Sequence, residues 1–283
     1  MGDMAPRQRR STLFVGALAL EALPAALASG ADIVCIDLED AVPPERKEEG
    51  RAAVVAMLAS VDVPASVQLI ARVNSLASPE GPADLRAGLG CARLAGVMLP
   101  KVESADEVRR AAAIVEQTQS AADLYAIIET PEGLEGCASI ARAHARLKAL
   151  FFGGFDMSTA LGCAMEWEPL LYARSRVVHA GAMGGIEVVD SPYPEVGNLE
   201  GLRQACARVK ALGMIGKAAK HATQVAAINA AFTPGPEEID RARRIIELFR
   251  ADPTRPLVHE GKLIELPAIK RLERIAQWPR STT

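Results

Sequence analysis

The chain has 283 residues, of which 49% are hydrophobic and 4% aromatic, and its net charge is −3. This composition is typical of a globular protein with a sizeable core, long enough for one large α/β barrel or two ordinary domains. Lysines and arginines are scattered, which argues against a nucleic-acid partner. No run reaches the ~18 apolar residues of a membrane-spanning helix.

The first segment resembles an export signal, because Arg7-Gln8-Arg9-Arg10 precedes an apolar run from Leu13 to Ala28. Glu21 interrupts that run and Pro24 breaks it. The start of the run, Leu13-Phe14-Val15-Gly16, also supplies the neighbouring strand that the predicted strand at Ile33–Asp37 needs in a barrel. The five cysteines are dispersed and form no Cys-x-x-Cys pair, as is typical of reduced thiols. We therefore expect a cytoplasmic protein whose first barrel strand lies in this segment.

Strand-like apolar runs then alternate with stretches of helical periodicity. Eight strands are predicted, at Thr12–Gly16, Ile33–Asp37, Val67–Val73, Gly96–Pro100, Leu124–Glu129, Leu150–Gly154, Ile186–Val189 and Met214–Ala218. The intervening helices include Ala105–Gln117, Leu134–Ala145 and Leu199–Leu212. The strand runs are continuous rather than alternating, as in parallel strands buried on both faces. They predict a (β/α)8 TIM barrel over residues 1–232. A doubly wound sheet is disfavoured, because Val15-Gly16-Ala17-Leu18 is not a glycine-rich phosphate loop.

After the eighth strand the pattern changes. A short helix at Thr223–Ala231 and a break at Thr233-Pro234-Gly235-Pro236 lead to a charged helix at Glu237–Arg250. A turn at Glu260-Gly261 then predicts a hairpin, followed by a last helix. The tail at Leu257–Gln277 is too short for a core of its own and must pack on the barrel or on a neighbouring subunit. We predict that residues 233–283 form a short C-terminal helical extension.

Two carboxylates occupy informative places at the ends of predicted strands. Glu129 closes the fifth run and Asp156 follows the sixth. A buried strand rarely ends in a carboxylate for packing reasons, because an unpaired buried charge is unfavourable. In a barrel these ends meet at the face where such folds carry their chemistry. Two oxygen ligands with room for water and substrate suit Mg²⁺. The alternative is that both residues cap the helices that follow.

Further charged residues end the other strands. Arg72 offers a planar fork for a substrate carboxylate or a polarised carbonyl oxygen, and it is also a partner for an ion pair with Asp37–Asp40. Glu39 and Asp40 either orient Arg72, or hydrogen-bond the water ligands of the metal, or cap the next helix. The carboxyl ends of the predicted strands form one face of the barrel, which we call the mouth. Four more residues are predicted there, namely Lys101 (a salt-bridge partner or a phosphate contact), Asp190, Lys217 and His221 (an acid/base or a cap).

The ordered set of motifs is similar to the citrate lyase beta-subunit-like branch of the HpcH/HpaI aldolase superfamily, which includes malyl-CoA and citramalyl-CoA lyases. The matching stretches are Arg10-Ser11-Thr12-Leu13-Phe14-Val15, Asp37-Leu38-Glu39-Asp40-Ala41-Val42, Arg72-Val73-Asn74, Leu99-Pro100-Lys101-Val102-Glu103, Ile128-Glu129-Thr130, Gly154-Phe155-Asp156-Met157-Ser158, Gly216-Lys217-Ala218-Ala219 with His221, and Thr233-Pro234 with Glu237-Glu238. Each is weak alone, but together they follow the family's order over nearly the whole chain.

The resemblance implies a Mg²⁺-dependent TIM barrel that cleaves or condenses a β-hydroxyacyl thioester, such as malyl-, citramalyl- or citryl-CoA. The products of cleavage are an acyl-CoA and a 2-oxo acid. It assigns the metal to Glu129 and Asp156, and substrate binding to Arg72, Glu129, Phe14 and Lys101. Arg72, Glu39 and Asp40 are implied to be catalytic. A homo-oligomer, a trimer or a multiple of it, is also implied.

Three departures from the family pattern stand out. The usual Phe-Val-Pro-Gly loop is replaced after Val15 by Gly16-Ala17, so the carrier is either coenzyme A or an acyl-carrier protein. The usual Ala-Ile-His-Pro is here Ala219-Lys220-His221-Ala222, which adds a positive charge near the mouth. Glu265 stands where longer relatives carry an aspartate that reaches a neighbour's active site as acid/base. We predict that Glu265 takes this catalytic role.

Three other functions stay open on the sequence. One is a pyruvate-dependent class II aldolase of the sister branch, which needs no thioester. Another is a non-catalytic homologue that binds coenzyme A or a metabolite. The altered loop at Gly16-Ala17 and the presence of Glu265 suggest it. The third is a thioester hydrolase, because an enolisable thioester held at a metal site can be hydrolysed after cleavage.

Overall fold

The computed structural model describes residues 8–89, 93–251 and 257–278. Within these residues eight parallel strands pair in chain order and close into a barrel. They are β1 (Ser11–Gly16), β2 (Ile33–Asp37), β3 (Gln68–Arg72), β4 (Gly96–Leu99), β5 (Asp123–Ile128), β6 (Leu147–Phe152), β7 (Glu187–Asp190) and β8 (Gly216–Ala219). The barrel closes because β1 pairs with both β2 and β8. The predicted TIM barrel is confirmed.

Helices surround the barrel. They are α1 (Leu23–Leu27), α2 (Lys47–Ser60), α3 (Glu80–Leu89), α4 (Ala105–Gln117), α5 (Pro131–Ile140), α6 (Gly154–Leu161), α7 (Trp167–Gly184), α8 (Leu199–Leu212) and α9 (Val225–Phe232). Among them, α4, α5 and α8 each begin at a residue whose side chain caps the helix. The Ser104 hydroxyl caps α4 and the Asn198 side chain caps α8, and both helices have the predicted bounds. The helix predicted at Leu134–Ala145 begins earlier, because Thr130 caps it and a proline occupies its first position. No described helix is both long and apolar enough to span a bilayer.

The barrel interior is filled by apolar side chains. One buried cluster consists of Ile33, Cys35, Ile70, Met98, Tyr125, Ile127, Ala149, Phe151 and Val189. The Tyr125 and Phe151 rings meet edge to face with centroids 6.0 Å apart, and the Tyr125 hydroxyl donates to the Gln68 side chain at 3.1 Å. This filling leaves room for chemistry at the ends of the strands rather than in a pore. Cys35, Cys137, Cys163 and Cys206 are free thiols, and Cys91 lies outside the described residues.

The sixth strand ends earlier than predicted. It stops at Phe152, and Gly154 is already the first residue of α6. Asp156 therefore lies in the first turn of a helix and not in line with a strand, so this part of the prediction is wrong. The cause is that Gly153-Gly154 lies between apolar residues, so hydropathy continues while the backbone changes direction.

The described residues divide into two compact units, on either side of the Phe232–Thr233 bond. The second unit contains α10 (Pro236–Ala251), the antiparallel strands β9 (Leu257–His259) and β10 (Lys262–Ile264), and α11 (Leu266–Ala276). The predicted hairpin turn at Glu260-Gly261 and the last helix are confirmed. Ile245 and Ile246 of α10 form a buried cluster with Ile269 of α11, so the predicted tail packs against α10 within this unit. Glu265 is exposed at the start of α11.

Candidate active site

A cavity of about 380 Å³ opens at the carboxyl ends of the barrel strands. Its polar lining consists of Asp37, Asp40, Arg72, Glu129, Asp156, Asp190, Ser191 and Lys220. Its apolar lining includes Phe14, Ile127, Phe151 and Phe152. The structure thus brings both predicted metal ligands, Arg72 and Phe14 to one place.

Glu129 follows β5 and is 3% exposed. Its Oε1 accepts a hydrogen bond of 2.9 Å from the backbone N–H of Lys101. Burial raises the pKa of Glu129 to about 8, and the nearby carboxylates of Glu39 and Asp156 add to the rise. A buried acid among other acids is a position that a cation stabilises strongly.

Gly153 makes room for this carboxylate. A Cβ at Gly153 would overlap both the Cβ and the Oε2 of Glu129. We expect Gly153→Ala to displace Glu129 and to weaken Mg²⁺ binding roughly tenfold or more, as changes to the supports of metal ligands do. Calorimetric titration with Mg²⁺ checks the affinity, and thermal unfolding checks the fold. Gly197→Ala is the control, because nothing lies within 4 Å of a Cβ there. Equal Mg²⁺ affinities in the two variants would contradict the prediction.

Asp156 is more accessible than Glu129, with 40% of its side chain exposed. It lies in the first turn of α6, where the helix dipole favours a negative charge. The N-cap of α6 is Gly153 and the N-cap of α5 is Thr130. The alternative that Glu129 and Asp156 are merely N-caps is therefore wrong.

Lys101 connects the two sides of this acidic cluster. Its backbone has a φ of 49°, a left-handed conformation that is uncommon for lysine and is found at functional sites. Its ammonium forms an ion pair with Glu39 and lies 3.8 Å from carboxylate oxygens of Asp40 and Asp156. Of the two predicted roles for Lys101, the structure places it in the salt bridge.

Arg72 is fixed by a bidentate contact with Asp37. Its Nε and Nη2 donate to the two oxygens of that carboxylate at 2.8 and 2.6 Å. Its Nη1 lies 2.9 Å from Glu39 and 3.3 Å from Asp40. Although burial opposes the charge, these contacts raise the pKa of Arg72, so it stays protonated. The guanidinium carbon also lies 5.3 Å from the centre of the Phe14 ring.

Asp37 belongs to the segment predicted as an ion-pair partner of Arg72, but it was not among the predicted catalytic, substrate-binding or metal-binding residues. Besides holding Arg72, its carboxylate accepts the backbone N–H groups of Glu39 and Ala41 at 2.9 and 3.2 Å. Asp37 thus fixes the turn that follows β2, while Glu39 and Asp40 face Arg72. Neither of those two caps the next helix, because the N-cap of α2 is Arg46 and no side chain caps it. The signal in the sequence was its place as the last residue of β2, directly paired with Arg72 at the end of β3.

The donor set at this end of the cavity fits magnesium. Within residues 8–89, 93–251 and 257–278, no three His, Cys, Asp or Glu side chains form a metal site by themselves. Glu129 and Asp156 provide two oxygen ligands, which leaves positions for water and substrate, as Mg²⁺ sites commonly do. Five carboxylates against two cations, Arg72 and Lys101, leave excess negative charge for a divalent ion to neutralise. The carboxylates are Asp37, Glu39, Asp40, Glu129 and Asp156.

Asp190, which lines the cavity, and Lys217, which does not, belong to a buried ion cluster. Asp190 is completely buried, accepts a hydrogen bond from Arg174 at 2.9 Å and forms an ion pair with the buried Lys217. The predicted place of Lys217 among mouth residues is therefore wrong. The Nδ1 of His221 caps the turn that follows β8, which favours the capping role over an acid/base role.

Comparison with known proteins identifies the family of this chain. The model of the HpcH/HpaI aldolase/citrate lyase family matches residues 10–222. The chain belongs to this family. It is 30% identical over 279 residues to the L-malyl-CoA/beta-methylmalyl-CoA lyase of Rhodobacter capsulatus, covering 88% of this chain and 87% of that protein. It is 32% identical over 261 residues to a (3S)-malyl-CoA thioesterase of Cereibacter sphaeroides, covering 90% and 89%.

A solved structure of similar fold contains magnesium and coenzyme A. CitE from Mycobacterium tuberculosis, in complex with magnesium, acetoacetate and coenzyme A, superposes with a TM-score of 0.79 at 26% identity. The match covers 96% of this chain and 98% of that one. RipC from Yersinia pestis is 36% identical with a TM-score of 0.72, covering 82% and 99%. The predictions of the family, of a lyase-class enzyme and of magnesium as its cofactor agree with these relatives.

Proposed function

We propose that this chain is a Mg²⁺-dependent carbon–carbon lyase acting on a β-hydroxyacyl thioester of coenzyme A. Cleavage yields an acyl-CoA and a 2-oxo acid, and the reverse reaction condenses them. The observation that carries the proposal is the meeting of buried Glu129, Asp156 and the fixed Arg72 fork at one cavity. Lyases among the relatives and a neighbour that holds magnesium and coenzyme A support it.

The acidic and basic residues of the site have different roles in the proposed reaction. Glu129 and Asp156 would hold magnesium, which when bound supplies Lewis-acid polarisation of the hydroxyl and carboxylate oxygens of the substrate. Arg72, held in place by Asp37, would present its positive charge to the carboxylate of the acid half and to the hydroxyl oxygen, which becomes negative when its proton is removed. Phe14, which lies against Arg72, contributes an apolar surface that excludes water.

A base must remove the hydroxyl proton before the carbon–carbon bond breaks. We assign this role to Glu265 of a neighbouring subunit, which makes a homo-oligomer, such as a trimer, part of the proposal. The electron pair of the O–H bond becomes the carbonyl bond of the 2-oxo acid. The electron pair of the broken carbon–carbon bond becomes the enolate of the acyl thioester, and that enolate then takes a proton to give the acyl-CoA.

The test is mass-spectrometric detection of products from purified protein with Mg²⁺ and malyl-, citramalyl- or citryl-CoA, each with and without EDTA. Release of an acyl-CoA and an oxo acid that EDTA abolishes is the expected result. Cleavage of free oxo-acid aldols without coenzyme A would favour the sister-branch aldolase. Binding of coenzyme A with no turnover of any compound would favour the non-catalytic homologue.

Thioester hydrolysis is the second candidate, because the (3S)-malyl-CoA thioesterase matches this chain as well as the lyases do. The two activities differ in what they release from malyl-CoA. A lyase releases acetyl-CoA and glyoxylate, so the thioester survives. A hydrolase releases malate and a free thiol. Quantifying free coenzyme A, acetyl-CoA and glyoxylate in the same reaction separates the two activities.

A further inference from the structure

The β7–β8 side of the cavity has the opposite charge from the magnesium side. In a closed barrel of eight strands in chain order, β7 and β8 lie across from β3 and β4. At the cavity end of these two strands, Asp190 is outnumbered by its partners Arg174 and Lys217, and Lys220 adds a third positive charge. This charge favours an anionic group on the side of the cavity away from Arg72 and Lys101.

Lys220 is the cation on this side that faces solvent. It follows β8, lines the cavity, and its ammonium lies 4.2 Å from the centre of the Phe155 ring. No carboxylate in the described part of the chain forms an ion pair with it. A lysine held over an aromatic face keeps its charge available to a ligand.

Ser191 carries an unpaired polar group in the same wall. It follows β7, lines the cavity and is 3% exposed. Its hydroxyl has no hydrogen-bond partner among the described residues. An ideal Cβ on Gly154 would lie 2.9 Å from this oxygen, so the missing side chain of Gly154 is what accommodates the hydroxyl. Leaving a buried hydroxyl unpaired is unfavourable, and a hydrogen bond to a ligand in the cavity would remove that cost.

We propose that Ser191 and Lys220 form a second recognition wall that binds an anionic oxygen group of the substrate. The inference rests on the proposed function, which assigns the acid half of the substrate to Glu129 and Asp156. The other half of the substrate is assigned to the β7–β8 side, because Ser191 and Lys220 line the same cavity there. The anionic group is a carboxylate on the acyl half or a phosphate of the carrier, and both residues determine specificity rather than break bonds.

Lys220→Met tests the charge, because it keeps an unbranched side chain over Phe155. We expect KM to rise about three- to tenfold with little change in kcat, and Lys220→Arg to restore KM. Coenzyme A and pantetheine thioesters are compared, each with and without a second carboxylate on the acyl half. An effect confined to coenzyme A thioesters identifies the phosphate, and an effect confined to the second carboxylate identifies the acyl half. Lys148→Met is the matched control, because Lys148 lies near the amino end of β6 and the cavity lies at the carboxyl ends of the strands.

The unfolding temperature and the KM of Ser191→Ala together distinguish a role in substrate binding from a role in stabilising the fold. Because it removes an unpaired hydroxyl, the ligand-free protein should unfold at the same or a higher temperature than the wild type. KM should nevertheless rise about three- to tenfold, the loss of one hydrogen bond. A lower unfolding temperature with unchanged KM would show that the hydroxyl only supports the fold, and would overturn its place in the wall.

Binding without turnover separates this wall from the proposed lyase. Calorimetry with coenzyme A and with malate, each in the presence of Mg²⁺, needs no reaction. Suppose that the wild type cleaves none of the substrates but Lys220→Met weakens the binding of either probe. This result would support the recognition wall and contradict the lyase proposal. If neither variant changes KM or the dissociation constant of any probe, the wall is overturned, whatever the reaction proves to be.

Discussion

Replacement of Glu129 by glutamine is expected to abolish Mg²⁺ binding and to lower kcat/KM on the order of a thousandfold, the effect of several kcal/mol of lost transition-state stabilisation. Glutamine has the same shape, and its amide oxygen can still accept the hydrogen bond from the Lys101 backbone. What it removes is the charge that would bind the metal. Because Glu39 and Asp156 repel that charge, the metal-free variant should be at least as stable as the wild type.

Calorimetric Mg²⁺ titration, steady-state kinetics and urea unfolding of the same preparation check the three parts of this prediction. Glu132→Gln is the matched control, since Glu132 is an exposed residue in the first turn of α5, three positions along the chain. We expect its Mg²⁺ affinity and turnover to be those of the wild type. Mg²⁺-stimulated turnover that survives in Glu129→Gln would remove Glu129 from the metal site.

The barrel was predictable because its strands are buried on both faces. Ile33–Asp37 has its predicted bounds, since a short run of β-branched residues ends at a charge. The error in the sixth strand arises because an apolar run continues past the point where the backbone changes direction. Phe151 to Phe155 reads as one apolar run, yet the chain turns into α6 at Gly154. A pattern of side-chain types contains no signal for that turn beyond the two glycines.

The site was predictable as a set of residues but not as a set of contacts. Glu129, Asp156 and Arg72 line one cavity because parallel strands end at the same face. That Asp37 holds Arg72, and that Asp190 meets Lys217, depends on the strand register, which pairs each of these residues directly across neighbouring strands. In the sequence alone, a carboxylate at a strand end looks the same whether it faces the mouth or a buried cation.

The buried ion cluster around Asp190 gives the largest expected effect on stability. We expect Asp190→Asn to lower the free energy of unfolding by about 3–5 kcal/mol, because it leaves the charges of Lys217 and Arg174 buried without a counter-charge. Urea unfolding with an unchanged m-value checks this. Adding Lys217→Met should recover part of the loss, because it removes one of the two unmatched charges. Asp106→Asn is the control, since Asp106 pairs with Arg109 at the surface and is 81% exposed; we expect a change below about 1 kcal/mol.

The same cluster predicts how stability depends on pH. Burial alone would raise the pKa of Asp190, but Lys217 and Arg174 outweigh it and hold that pKa below its usual value. A carboxyl whose pKa is lower in the folded than in the unfolded state stabilises the fold fully above the unfolded value, about 3.9, and loses this contribution as the pH falls through the folded value. Unfolding free energies measured between about pH 7 and pH 2 should therefore fall more steeply for the wild type than for Asp190→Asn. Parallel curves would mean that Asp190 gains nothing from its two partners, and the 3–5 kcal/mol expected for its replacement would lose its physical basis.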